Sequence, residues 1–240
     1  MTTKTNTAKL FTVMLFVVAA SVVTIVTSCK KSSDTASSDV VTEQAAVDAV
    51  TEAVVPTSSG FVDQGATATV IVNGGATCGK SFDSSITRSS AAGAAITYTA
   101  SLKWGWTLSC STPATFSFNF AGKMVYDAPR ISSADSSVGS FTVTGLTSSA
   151  YTFNANYVRK GSQVSKVGYG RSFSSTITIT ATNLVIDKAT QLVLSGNATV
   201  TVTGASSTGK TFSYNGTITF TGNKTATITI ANGSTYTISW

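Results

Sequence analysis

The chain contains no histidine. That removes the usual general base, the commonest metal ligand and every His-based triad. Charged residues make up only 11% of its 240 residues, and proline occurs three times. Glutamate is absent after Glu52. From Gly60 onward the only acids are Asp63, Asp83, Asp127, Asp135 and Asp187, scattered singly. Scattered acids offer neither a calcium loop nor the paired spacing of a hydrolase motif, so the sequence is read as non-enzymatic, with no cofactor and no metal. Twelve basic residues face those five acids, so the main domain is basic, which favours anionic partners. No basic, aromatic-interleaved nucleic-acid motif is present, and no nucleic-acid partner is expected.

What is present begins with a leader. Lys4 and Lys9 precede an apolar run from Leu10 to Val26, broken only by Thr and Ser. A positive region followed by such a run reads as a secretory signal, with a membrane span as the alternative. The four residues Val26-Thr27-Ser28-Cys29 then resemble the lipobox of bacterial lipoproteins: an aliphatic residue, two small ones and the cysteine. Val26 departs from the leucine commonest there. The resemblance implies cleavage before Cys29 and lipidation of its sulfur. Two or three acyl chains anchor stably where one is marginal. Lys30-Lys31 follow without an Asp. By family analogy this favours the outer membrane, with the domain facing the periplasm or the surface.

Residues 1–28 are thus read as signal peptide, 29–60 as tether with a short helix, and 61–240 as the domain. Ser32 to Ser38 is Ser/Asp-rich and linker-like. Asp34-Thr35-Ala36 resembles a short O-glycosylation acceptor, although a plain linker explains it as well. Asp39 to Val55 has a helical pattern with Asp39 as N-cap, and Pro56 ends it. A spacer docking loosely on the domain is expected.

From Phe61 the pattern has period two, with no helix expected after Pro56. Phe116, Phe118 and Phe120 alternate with Ser117 and Asn119, and Tyr236, Ile238 and Trp240 alternate with Thr237 and Ser239. Such alternation marks antiparallel strands with one apolar face. Asn73-Gly74-Gly75, Gly161-Ser162, Ser195-Gly196-Asn197, Gly222-Asn223 and Asn232-Gly233 read as turns. The expected class is all-β: a meander of roughly nine to eleven strands, closed as a β-sandwich or a curled, barrel-like sheet. Cys78 and Cys110 are expected to form a disulfide in an oxidising compartment, with Cys110 on the apolar face by strand parity.

Candidate ligand contacts are few. Trp104 and Trp106 could stack on sugar rings, although their parity with Leu102 and Leu108 favours core. Arg159, Lys160, Lys166 and Arg171 fall in what reads as a basic hairpin, suited to phosphate or lipid headgroups or simply solvated. Threonine rows such as Thr176-Thr178-Thr180 and Thr199-Thr201-Thr203 are found on ice-binding surfaces, which need a regular repeat that the sequence lacks. Ordinary solvent-facing strands account for them. The reading is a lipid-anchored envelope module for adhesion, glycan contact or scaffolding. A small outer-membrane β-barrel, suggested by the aromatic ending at Trp240, and an unrecognised glycan-acting enzyme are the alternatives.

Overall fold

The computed structural model describes residues 40–167 and 170–240. Two helices lead, α1 (Glu43–Val54) and α2 (Phe61–Asn73), joined through a single 3-10 turn at Pro56–Ser58. Ten strands follow: β1 (Ser81–Ser89), β2 (Thr97–Ser109), β3 (Thr115–Asp127), β4 (Ile131–Thr144), β5 (Ala150–Ser165), β6 (Ser172–Asp187), β7 (Val193–Ser206), β8 (Thr211–Gly222), β9 (Thr225–Ile230) and β10 (Thr235–Ser239). They form one antiparallel sheet in strict sequence order, open between β1 and β10. The expected all-β meander is therefore present, with ten strands.

Alternation drives it. In β3, Phe116, Phe118, Phe120, Met124 and Tyr126 point inward and are buried, while Ser117, Asn119 and Lys123 face out. Turn chemistry closes the last hairpins as expected. Asn223 and Lys224 both take positive φ, at 52° and 59°, which suits a two-residue hairpin turn. Gly233 does the same at 95° in the turn before β10.

The sheet is curled around the helices. The Phe61 ring of α2 lies 5.4 Å from Phe141 on β4, 6.0 Å from Tyr157 on β5 and 6.2 Å from Phe220 on β8. One side chain meets strands four places apart only if the sheet wraps it. Removing that ring would cost about 3–5 kcal/mol by analogy with other buried phenylalanines. Further ties reach both sheet edges: Arg88 of β1 pairs with Asp63 at 2.8 Å, and the Tyr236 hydroxyl of β10 donates to Glu43 at 2.7 Å.

Four local expectations are corrected. First, α2 was not anticipated. Its buried face is Phe61, Gln64, Gly65 and Ala68, which has helical spacing but mixed polarity, so no apolar stripe shows. Its Val and Thr content reads as strand, and packing inside the sheet overrides propensity. Second, α1 is not a loose spacer, because nine of its twelve residues are buried. Its N-cap is Thr42, whose Oγ1 accepts from the Ala45 amide at 3.2 Å. Asp39, the expected cap, lies outside the described residues, as do Cys29 and Asp34-Thr35-Ala36.

Third, Gly161-Ser162 and Ser195-Gly196-Asn197 are not turns but lie within β5 and β7. Gly161 is there for clearance. A Cβ on it would stand 1.8 Å from Asp135 Oδ1 and 2.4 Å from the Ala134 carbonyl. Fourth, the Cys78–Cys110 disulfide is present, with Cα atoms 5.6 Å apart, but Cys110 is exposed rather than on the apolar face. β2 ends at Ser109, so strand parity no longer governs the next residue. The bond ties the α2–β1 loop to the end of β2.

Candidate functional site

The basic residues singled out from sequence separate. β5 continues through residues 159–165, so Arg159 and Lys160 point to opposite faces. Arg159 points inward and is 1% exposed. Its Nε donates to Asp135 Oδ2 at 2.6 Å, and Asp135 is equally buried. Its Nη1 donates to the Glu52 carbonyl at 2.7 Å, in the last turn of α1. That turn has no basic residue of its own, so Arg159 supplies the positive charge that the helix C-terminus favours. Ser58 Oγ donates to the same carbonyl. The Tyr126 ring covers the guanidinium at 4.7 Å. Ser133 and Gln163 complete the carboxylate's partners. Burial raises both the Glu52 carboxyl and the Tyr126 hydroxyl above their ordinary pKa values. Sealed from solvent, this network holds α1 to the sheet and is no ligand site.

Lys166 and Arg171 are at the β5–β6 connection. Lys166 pairs with Asp127, and Arg171 donates to the Val40 carbonyl. The tryptophans give no outward platform. Trp104 is buried and its Nε1 donates to Gln64 Oε1 at 3.1 Å. Trp106 is half-buried, stacked on Phe82 at 5.8 Å.

Lys160 does face solvent, and it has company. Strand register aligns Thr87, Ser101, Lys123, Ser136 and Lys160 in one row across β1 to β5. Lys123 and Lys160 are two strands apart, about 10 Å at the usual spacing. The row crosses a hollow of about 550 Å³, lined also by Thr99, Val125 and Ala134. A second hollow of about 400 Å³ shares Ser101, Lys123 and Ser136 and adds Lys103, Ala121 and Val138. Small outward residues make the floor, and lysines and valines make the rim. Val125 and Val138 are 57% and 53% exposed.

Among the described residues, Lys103, Lys123 and Lys160 enter no ion pair. The nearest outward acid is Asp83, diagonal to Lys103. Asp135 sits beside the row in sequence, but its carboxylate is turned inward to Arg159. Chemically the groove offers three ammonium groups, four hydroxyls and exposed aliphatic surface. That suits a ligand with negative charge, hydroxyls and apolar C–H faces.

No known family model matches this chain, and no curated protein and no solved structure is similar to it.

Lys103 and Lys123 were missed from sequence because no local motif joins them. The available signal was parity: each is the charged outward residue of an amphipathic strand. Beyond β5 the outward face changes character. Thr180, Thr199, Thr217, Thr229 and Thr235 form one cross-strand row on five successive strands. The threonines do align, through register rather than through a sequence repeat. β6 to β10 carry no basic residue within their strands and a single acid, Asp187 at the outward end of β6, so the positive charge of the outer face is concentrated over β2 to β5.

Proposed function

We propose that this chain is a non-enzymatic binding module of the cell envelope that grips an acidic glycan in the groove over β1 to β5. The observation that carries the reading is the row Thr87–Ser101–Lys123–Ser136–Lys160, with Lys103 beside it. Lysines spaced about two strands apart suit carboxylates or sulfates repeated along a polymer. Hydroxyls between them suit sugar hydroxyls, and Val125 and Val138 suit the C–H faces of the rings.

Anchoring belongs to the same proposal. Lipid on Cys29 would hold the domain at the outer membrane. The eleven residues from there to Val40 reach at most about 40 Å when fully extended. The support is the lipobox-like sequence, and acyl labelling of the Cys29→Ala protein tests it: persistent labelling refutes it. The orientation of the sheet supports water rather than lipid at its outer face, because Phe, Tyr and Ile point to the helices and Ser, Thr and Asn point out. This weighs against the membrane-barrel alternative.

The groove is tested by titrating the full-length protein with polygalacturonate and with neutral dextran at two salt concentrations. Binding should be confined to the acidic polymer and weaken with salt. Lys123→Glu with Lys160→Glu should reduce affinity by at least about tenfold. Lys224→Glu, in the β8–β9 turn, should leave it unchanged. Equal binding of dextran, or indifference to the groove pair, would overturn the reading.

A further inference from the structure

β1 is an edge of the sheet, paired with β2 on one side and, among the described residues, with no strand on the other. It is unusual for an edge. All nine residues except Arg88 are exposed, so neither face is covered well. Phe82 and Ile86 share its inward face and remain 39% and 38% exposed. Val70 of α2 is 50% exposed. It lies two helical turns beyond Asp63, the residue that holds Arg88, and so on the side of α2 nearest β1. A small hollow of about 200 Å³ between Ile71, Ala76, Phe82 and Trp106 continues the apolar surface.

Edge strands in solution are ordinarily blunted by shortness, proline, lysine or a bulge. β1 is nine residues long, contains neither residue type and keeps an unbroken register with β2, so its only blunting charges are Asp83 and the inward Arg88. Its one cation, Arg88, is occupied by Asp63. The opposite edge, β10, is only five residues long and is pinned through Tyr236 to Glu43.

The sequence of β1 says what would pair with it. In an antiparallel pairing of two copies centred on Ser84, Phe82 of each strand faces Ile86 of the other. An aromatic residue opposite a β-branched one is a favourable cross-strand pair, and symmetry makes it twice. On the outward face the same register sets Asp83 opposite Ser85 and Ser81 opposite Thr87, and just beyond the strand it brings Lys80 opposite Arg88, whose charge is already paired with Asp63. The strand is self-complementary in the register that covers both exposed apolar residues.

We infer that the chain forms a two-fold dimer by antiparallel pairing of β1 with β1, continuing the sheet across the axis. The interface is small, one strand and a few apolar side chains from each copy, so a reversible, micromolar dimer is the expected strength. The Cys78–Cys110 bond supports it by fixing the loop that leads into β1 against the end of β2.

Sedimentation equilibrium of the full-length protein in detergent should give a dimer. Ser85→Pro, which removes an edge-facing backbone donor next to the centre, should give a monomer. The Ser90 N–H bonds Tyr98, the residue that opposite register places beside β2, so the odd-numbered residues of β1 face the open edge. Ile86→Lys is the companion variant in case proline disturbs folding, and it should weaken dimerisation at least about tenfold with an unchanged circular-dichroism spectrum. Ser84→Cys should form an intermolecular disulfide across the axis, whereas Ser89→Cys should not. A wild-type monomer at micromolar concentrations would overturn the inference. So would a dimer that survives both substitutions, or equal cross-linking at both cysteines.

Discussion

Asp135→Asn should be among the most damaging single-atom changes available in this protein. Asp135 and Arg159 are each 1% exposed and joined at 2.6 Å. The variant keeps the shape of the side chain but removes its charge, leaving the Arg159 guanidinium buried without its counter-ion. Breaking one partner of a buried pair costs about 3–5 kcal/mol. For a domain of this size about 2–4 °C of Tm follows each kcal/mol, so a fall of roughly 6–20 °C is expected. Removing both charges is a different matter. Arg159 Nη2 makes no hydrogen bond among the described residues, so the pair is not fully repaid for its desolvation. The double variant Asp135→Leu, Arg159→Met should recover most of the loss, although the Glu52 carbonyl then loses its Arg159 donor. Ser58 still serves that carbonyl. The assay is thermal and urea unfolding followed by circular dichroism, with the disulfide oxidised throughout. Binding of polygalacturonate should be unchanged below the transition, since the pair faces the opposite side of the sheet from the lysines. An Asp135→Asn variant within about 1 kcal/mol of wild type, well below the cost of a broken buried pair, would refute the reasoning. A double variant as weak as the single one would refute the view that the charge, not the shape, matters.

Three further outcomes are expected. Gly161→Ala should destabilise by about 1–3 kcal/mol or more in urea unfolding, because the added methyl meets Asp135 and the Ala134 carbonyl. Burial raises the Glu52 carboxyl above its ordinary 4.5, so the fold prefers the protonated form. Its contribution is full below that value and is lost as pH rises through the raised one; Glu52→Gln should therefore gain on wild type as pH rises above 4.5, with parity at the acid end. Reduction of Cys78–Cys110 should lower stability by about 3–4 kcal/mol from the 32-residue separation alone, measured by unfolding with and without dithiothreitol.

Alternation made the strands legible. Phe116, Phe118 and Phe120 announce β3, and Tyr236 and Ile238 announce β10, because a strand with one buried face must alternate. Composition made α2 hard to see. Phe61 to Asn73 is rich in Val and Thr, and its buried face includes Gln64, which accepts from Trp104 in the interior. A polar residue in the buried stripe hides the stripe. Glycines misled for a related reason: Gly161 serves clearance and Asn232-Gly233 serves a turn, and the two look alike until the neighbour across the sheet is known. The groove was half legible. Lys160 was a candidate, but Lys123 and Lys103 join it only through register, which no local pattern states. The basic hairpin forms between β5 and β6, but β5 runs on to Ser165, so only Lys166 and Arg171 reach its turn while Arg159 goes to the core.

The order of the chain gives α1 a place in time as well as in space. Every strand pairs with its immediate successor, so the sheet assembles from local hairpins and each step closes a short loop. The helix is the exception. Glu43 meets Tyr236 at a separation of 193 residues and Asn232 at 189. The first described element is thus enclosed only when the last hairpin has formed. If the strands zip in sequence, the interior seals around this helix in one late, long-range step. Substitutions at Glu43 or Tyr236 should then leave early hairpin formation untouched and fall on that final closure, a separation that folding kinetics can resolve.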